Sequence, residues 1–152
     1  TYLIAGNGNE KENLIEKVKT LGLEDTVNFL GYVSDDSKIP LLDICDLFIL
    51  LSREENGAVE GYGISYIEAG ARGKAVIGGN HGGTKEAVEN NETGILVDSL
   101  NISKVKKAIK ELYLDDKKRI QMGSCAKKRI LEEKIWDISQ DKILKQIEDG
   151  LL

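Results

Sequence analysis

Cysteine, histidine and proline are scarce in this chain of 152 residues: it has two cysteines, one histidine and one proline. Cys45 and Cys125 lie far apart, and neither has a metal-ligand neighbour at zinc spacing. Both sit in apolar or helical segments and read as reduced thiols rather than a disulfide, which points to the cytoplasm. His81 stands alone in a Gly-rich loop and reads as structural or exposed, with a ligand-facing role the weaker alternative. Adjacent aspartates occur as Asp35-Asp36 and Asp115-Asp116, a helix start and a surface pair. No Asp-x-Asp ends a strand, so no metal site is implied and no cofactor is expected.

Long apolar runs are also missing. None reaches the roughly 18 residues that a membrane helix needs. No basic-then-apolar signal peptide leads the chain. There is no basic excess either: the net charge is −5 and the pI about 5.0, so no positive field attracts nucleic acid. No linker, low-complexity segment or internal repeat interrupts it. With 41% apolar residues it can bury one core, and it reads as a single domain over 1–152.

Short apolar runs alternate with helical patterns. Residues 2–5, 27–30, 46–51, 75–78 and 94–97 are rich in Val, Ile, Leu and Phe, and suit strands buried on both faces. Between them, Leu14, Ile15, Val18 and Leu21 share a helical face that Gly22 stops. Asp35–Ser37 caps a short helix with Pro40 in its first turn. Ile64, Ile67 and Ala71 mark another helix, and Glu86 to Glu89 a further short one. After residue 98 the chain turns helical, with a stripe of Ile102, Val105, Ile109 and Leu112. A helix over 116–131 follows, then a third carrying Ile143, Leu144, Ile147 and Leu151. The Lys-rich stretch 103–128 reads as the solvated face of two helices. This alternation predicts an α/β, Rossmann-like, doubly wound parallel sheet of about five strands with a helical C-terminal segment. Ligands of such sheets bind beyond the carboxyl ends of the strands, where this chain puts its glycines.

Gly6-Asn7-Gly8 follows a strand and precedes a helix, but Lys11 occupies the place of the third fingerprint glycine. It reads either as a tight turn or as a loop approaching a phosphate or sugar. The run from Glu60 to Ala71 says more. Gly61 and Gly63 strip side chains from a turn before a helix, which leaves amides for an anion. Glu68 is four residues from Ile64 and is expected inside the buried stripe. A carboxylate there needs a partner. A ligand diol is one candidate; a backbone group or an arginine is the other.

Glu60 and Glu68, with seven residues between them, Gly-Tyr-Gly after the first and Ala-Gly-Ala after the second, resemble the paired-glutamate motif of family 4 retaining glycosyltransferases of GT-B fold. The surroundings agree in order: Leu-Ile-Ala-Gly-Asn-Gly at 3–8, Val-Asn-Phe-Leu-Gly-Tyr-Val at 27–33, Cys-Asp-Leu-Phe-Ile-Leu-Leu-Ser at 45–52, Gly-Lys-Ala-Val-Ile-Gly at 73–78, Gly-Gly-Thr-Lys-Glu at 82–86 and Thr-Gly-Ile-Leu-Val at 93–97. The likeness runs from residue 3 to about 140. It implies a domain that binds a nucleoside diphosphate sugar, a UDP-sugar or GDP-sugar, for transfer to an acceptor hydroxyl with retention. It places the ribose on Glu68 and the donor sugar on Glu60, the catalytic position. Backbone groups of Gly61, Tyr62, Gly63 and Ile64 would meet the sugar and distal phosphate. Gly31, Tyr32 and Val33 would flank the base, Gly6 and Gly8 would line the cleft, and Gly82 and Gly83 would shape a turn nearby.

The chain also departs from that pattern. The family's Arg and Lys that neutralise the diphosphate lie on a first strand and helix that this sequence does not contain. The acceptor-binding N-terminal domain is absent too, and with it any route to a lipid acceptor or peripheral membrane association. The missing strand is expected between those at 2–5 and 46–51. Leu51-Ser52 replaces a usual Pro-Ser, and the loop from Arg53 to Val59 is longer than the common form. Trp136 resembles the family's C-terminal segment, which packs toward the partner domain; a core or cap role is the equal alternative. The chain is expected to be a fragment that binds nucleotide weakly and transfers nothing alone. A non-catalytic nucleotide-binding or regulatory module of the same fold is the rival reading. A nucleotide-sugar epimerase would need an acid/base set not found here, and Lys11 disfavours a dehydrogenase.

Overall fold

The computed structural model describes residues 1–54, 61–133 and 145. Five parallel strands alternate with helices: β1 (Tyr2–Ala5), α1 (Lys11–Thr20), β2 (Val27–Gly31), α2 (Asp35–Ile44), β3 (Leu47–Leu50), α3 (Ile64–Ala71), β4 (Ala75–Gly79), α4 (Thr84–Ala87), β5 (Gly94–Val97), α5 (Ile102–Leu114) and α6 (Asp116–Glu133). The α/β class is as the sequence predicts. Hydrogen bonding divides the strands into two sheets, β1-β2 and β3-β4-β5, which fall in two compact units, Thr1–Leu41 and Leu42–Leu152.

In the first unit, Ile4 pairs with Phe29 and Ala5 with Gly31, so one residue bulges at the carboxyl end. α1 ends as Gly22 predicts. The Gly22 amide donates to Lys19 O and the Leu23 amide to Val18 O, with Gly22 at φ 64°. That reciprocal pair is the Schellman stop, which an L side chain at Gly22 would strain. Burial here falls short of the sequence reading. β1 and β2 are not buried on both faces: Tyr2 and Leu3 of β1 are exposed, and no residue from 1 to 41 is fully buried. Two strands and their helices are too small a set to enclose one another.

The second unit holds the core. β4 is buried along its whole length between β3 and β5. Its alternate side chains serve two layers. Ala75 and Ile77 join Ile95, Val97, Ala108, Leu112 and Met122 on the α5–α6 face. Val76 joins Leu42, Tyr66, Ala69, Ala87 and Val88 on the opposite face, under α3 and α4. Helices on both faces of a parallel sheet are what its near-continuous apolar strands require. α6 passes the turn before β4 so closely that a Cβ on Gly123 would overlap the Gly73 carbonyl.

Three local readings are corrected. Pro40 is the sixth residue of α2, not in its first turn, because Asp35 already opens the helix below Ser34, whose carbonyl accepts from Ser37 and Lys38. The short helix is Thr84–Ala87, two residues earlier than read, because the turn at His81–Gly83 starts it. Ile102 belongs to the α5 stripe in sequence but is 69% exposed, since it is the first residue of the helix. Ile143, Leu144, Ile147, Leu151 and Trp136 lie outside the described residues.

Candidate functional site

α3 begins at the carboxyl end of the second sheet. Gly63 caps it at φ 78°, a left-handed turn that glycine adopts without strain. The Gly63 carbonyl accepts from Tyr66 at 3.0 Å and Ile67 at 3.3 Å. The Ile64 and Ser65 amides lead the helix, and like the first amides of any α-helix they have no intrahelical carbonyl to meet. Ahead of them lie Gly61 and Tyr62, both exposed. This is the amide-rich, side-chain-poor turn the sequence predicts. Glu60 lies outside the described residues.

The face that α3 buries is a correction. Ile64, Ile67 and Ala71 were expected inside, with Glu68 among them. Ile67 does pack, half-buried, against the core as expected, but Ile64 is 66% exposed and the fully buried residues are Tyr66, Ala69 and Gly70. Glu68 is half-buried and shares a side with Ile64, one helical turn away from it. The reason is Tyr66. Its ring packs edge-on against Phe48, with centroids 6.1 Å apart, and its hydroxyl donates to Leu50 O at 2.5 Å. Ser52 Oγ lies 3.0 Å from the same hydroxyl. Burying Tyr66 turns the Ile64–Glu68 side away from the sheet. Glu68 is therefore a half-buried carboxylate at the edge of the packed face and not a core one.

Neighbouring loops complete the rim. Ser99 Oγ donates to Ser52 O at 2.9 Å, and a Cβ on Gly79 would overlap that same carbonyl. A Cβ on Gly83 would overlap Gly61 O and stand 2.8 Å from its carbon. The turn before α4 thus rests directly on the turn before α3, as a shaping role for Gly83 requires. His81 is half-buried, and its carbonyl accepts the Thr84 amide. Sequence reasoning missed Tyr66, Ser99 and Arg129, whose roles are set by contacts distant in sequence.

The other predicted residues sit together at the carboxyl end of the first unit's sheet. The Gly6 amide donates to Gly31 O at 2.6 Å, with Gly6 at φ 121° and Gly31 at φ 67°. Lys11 Nζ lies 3.4 Å from Asn7 Oδ1 beside Gly31. Gly8 is exposed and its carbonyl accepts the Lys11 amide. Tyr32 is 80% exposed and Val33 half-buried. Gly6, Gly8, Gly31, Tyr32 and Val33 therefore form one cluster in the first unit, and Gly61 to Ile64 with Glu68 another in the second.

Residues 1–129 match the family described as glycosyl transferases group 1. The chain belongs to this family. The family's GDP-mannose-dependent alpha-(1-6)-phosphatidylinositol monomannoside mannosyltransferase of Mycobacterium tuberculosis is 33% identical over 143 residues, covering 93% of this chain and 37% of that protein. The N-acetyl-alpha-D-glucosaminyl L-malate synthase of Bacillus anthracis is 32% identical over 146 residues, covering 96% and 35%. The crystal structure of Anabaena HepE in complex with UDP superposes with a TM-score of 0.83 at 25% identity, covering 98% of this chain and 41% of that one. This glycosyltransferase domain thus spans little more than a third of the length of the curated relatives it matches. Among the described residues no helix is long and apolar enough to cross a membrane.

Proposed function

We propose that the chain is the nucleotide-sugar-binding part of a family 4, retaining glycosyltransferase whose acceptor-binding domain and diphosphate-neutralising Arg and Lys lie elsewhere in the enzyme. One observation carries the reading: α3 presents its free amides behind Gly61-Tyr62-Gly63, and Glu68 stands on the same outward side as the exposed Ile64. Amides at a helix start stabilise a developing anion, which a diphosphate leaving group needs. Glu68 accepts the two adjacent ribose hydroxyls. Glu60 orients the donor sugar and stabilises positive charge at the anomeric carbon. It is not a nucleophile in this scheme, since a two-carboxylate hydrolysis requires a second acid flanking the same bond. Gly31, Tyr32 and Val33 flank the base, with the exposed Tyr32 ring as its surface. Gly6 and Gly8, in the same unit, line the cleft beside them on this reading. No metal or cofactor takes part; the nucleotide is substrate. A lipid acceptor and peripheral membrane contact come through the missing domain, and the enzyme works in the cytoplasm.

The Mycobacterium relative is named for GDP-mannose, and the Anabaena structure holds UDP, so the donor is a GDP- or UDP-sugar. Calorimetric titration with GDP and with UDP, on the unaltered protein and on Glu68→Ala, tests the reading. One nucleotide should bind, and Glu68→Ala should weaken it about tenfold or more, since charge-assisted hydrogen bonds contribute about 1.5–3 kcal/mol. Absence of binding by both nucleotides at millimolar concentration refutes the site.

A further inference from the structure

α4 is a single turn of four residues, too short to hold itself in place. Its position is set from both ends. At its start, Gly83 rests on the Gly61 carbonyl. At its end, carbonyls that a helix leaves unpaired meet Arg129 of α6. Arg129 Nη1 donates to Ala87 O and Nη2 to Glu86 O, each at 3.2 Å. The guanidinium side chain is 14% exposed, and its Nε lies 3.1 Å from Glu89 Oε1 and 3.3 Å from Glu133 Oε2. Neither carboxylate is aligned with the Nε–H, which makes no hydrogen bond. The two acids therefore hold the charge in place while the two terminal nitrogens grip α4. A planar fork can meet two successive carbonyls at once; an ammonium cannot do so with the same fixed geometry.

We propose that Arg129 is a positioning residue for the donor turn. It acts through α4: by fixing Glu86 and Ala87 it holds Gly83 against Gly61 and Tyr62, and so sets where the amides that lead α3 point. The inference rests on the reading of Gly61 to Ile64 as the donor turn. Arg129 touches no substrate in this scheme, and its signature is a change in donor affinity without a change in acceptor affinity.

The experiment uses the full-length enzyme and its nucleotide-sugar donor, with Arg129→Gln, Arg129→Lys and Leu112→Val. Leu112 is fully buried on the opposite face of β4 and serves as a control for lost stability. Donor KM, acceptor KM, kcat and Tm are measured per folded enzyme. Arg129→Gln should raise donor KM about tenfold, since displacing a binding group by a fraction of an ångström to 1 Å is felt at this scale. Arg129→Lys should fall between it and the unaltered enzyme, and acceptor KM should not move. Leu112→Val should lower Tm and leave donor KM alone. If Arg129→Gln lowers Tm as the control does, with donor KM within about twofold of the unaltered enzyme, the role is structural and the inference is overturned. Should Arg129→Gln not fold, Arg129→Lys decides on the same criterion. Loss of saturable donor dependence in the unaltered enzyme refutes the donor reading, and this inference with it. Normal saturation with unmoved variants refutes this inference alone.

Discussion

Substituting Gly83 by alanine puts a methyl group where the Gly61 backbone already stands. The new Cβ would overlap the Gly61 carbonyl oxygen, with Gly61 C at 2.8 Å and Tyr62 Cα at 3.1 Å. An unstrained carbon–carbon contact needs about 3.5 Å or more, and the overlapped oxygen is nearer still, so the two turns must part by more than about 1 Å. The obstacle is backbone, so no side-chain rotation relieves it. Gly83 itself has φ −70°, a conformation open to alanine, which makes the effect one of contact and not of dihedral strain. Overpacking of this kind costs about 1–3 kcal/mol, a fall in Tm on the order of 5 °C for a chain of this size. The displaced atoms are those that lead into α3, so donor affinity should fall by roughly 10- to 100-fold. Thermal melting and calorimetric titration with GDP or UDP measure the two effects. Gly82→Ala is the internal comparison: Gly82 sits at φ 53°, so it is strained by its own backbone, about 1–2 kcal/mol. If Gly83→Ala binds nucleotide as tightly as the unaltered protein and melts within about 1 °C of it, the packing of the two turns does not govern the site.

Tyr66→Phe keeps the edge-on packing with Phe48 but removes the hydroxyl that meets Leu50 O and Ser52 Oγ; urea unfolding should show a loss of about 1–3 kcal/mol, and an unchanged midpoint would count against this anchor. Burial pushes the Cys45 thiol up, only partly opposed by Lys74. A raised thiol favours the folded state below its unfolded value and loses that contribution as pH rises through the folded value. Cys45 should therefore stay slow toward a disulfide reagent near neutral pH and speed up only in alkali, while the exposed Cys125 reacts first; equal rates for the two would refute the assignment.

Much of the site was legible because it depends on residues close in sequence. The Gly61-Tyr62-Gly63 turn, the start of α3 and the Gly22 stop follow from glycine's access to positive φ and from orphan helix amides, both local properties. The buried face of α3 was not legible. Apolar spacing favours Ile64, Ile67 and Ala71 over a tyrosine; Ile67 does pack against the core, but Ile64 faces outward and Tyr66 is the residue that is fully buried. It does so because Phe48, Leu50 and Ser52, 14 to 18 positions earlier, supply a ring and two oxygens for it. Arg129 was hidden for the same reason: its partners are carbonyls 42 and 43 positions away, and carbonyls leave no mark on residue identity.

The order of elements, the parallel α/β class and the family were thus written in the chain itself, since periodicity, turn residues and motif spacing are carried by neighbours. Tertiary structure decided which side of α3 meets the sheet, and so turned Glu68 from an expected core carboxylate into a half-buried one beside an exposed Ile64. It also decided that Gly83 abuts Gly61 and that Arg129 holds α4. These are contacts between atoms far apart in sequence, where packing and the need to satisfy buried polar groups overrule the helical pattern.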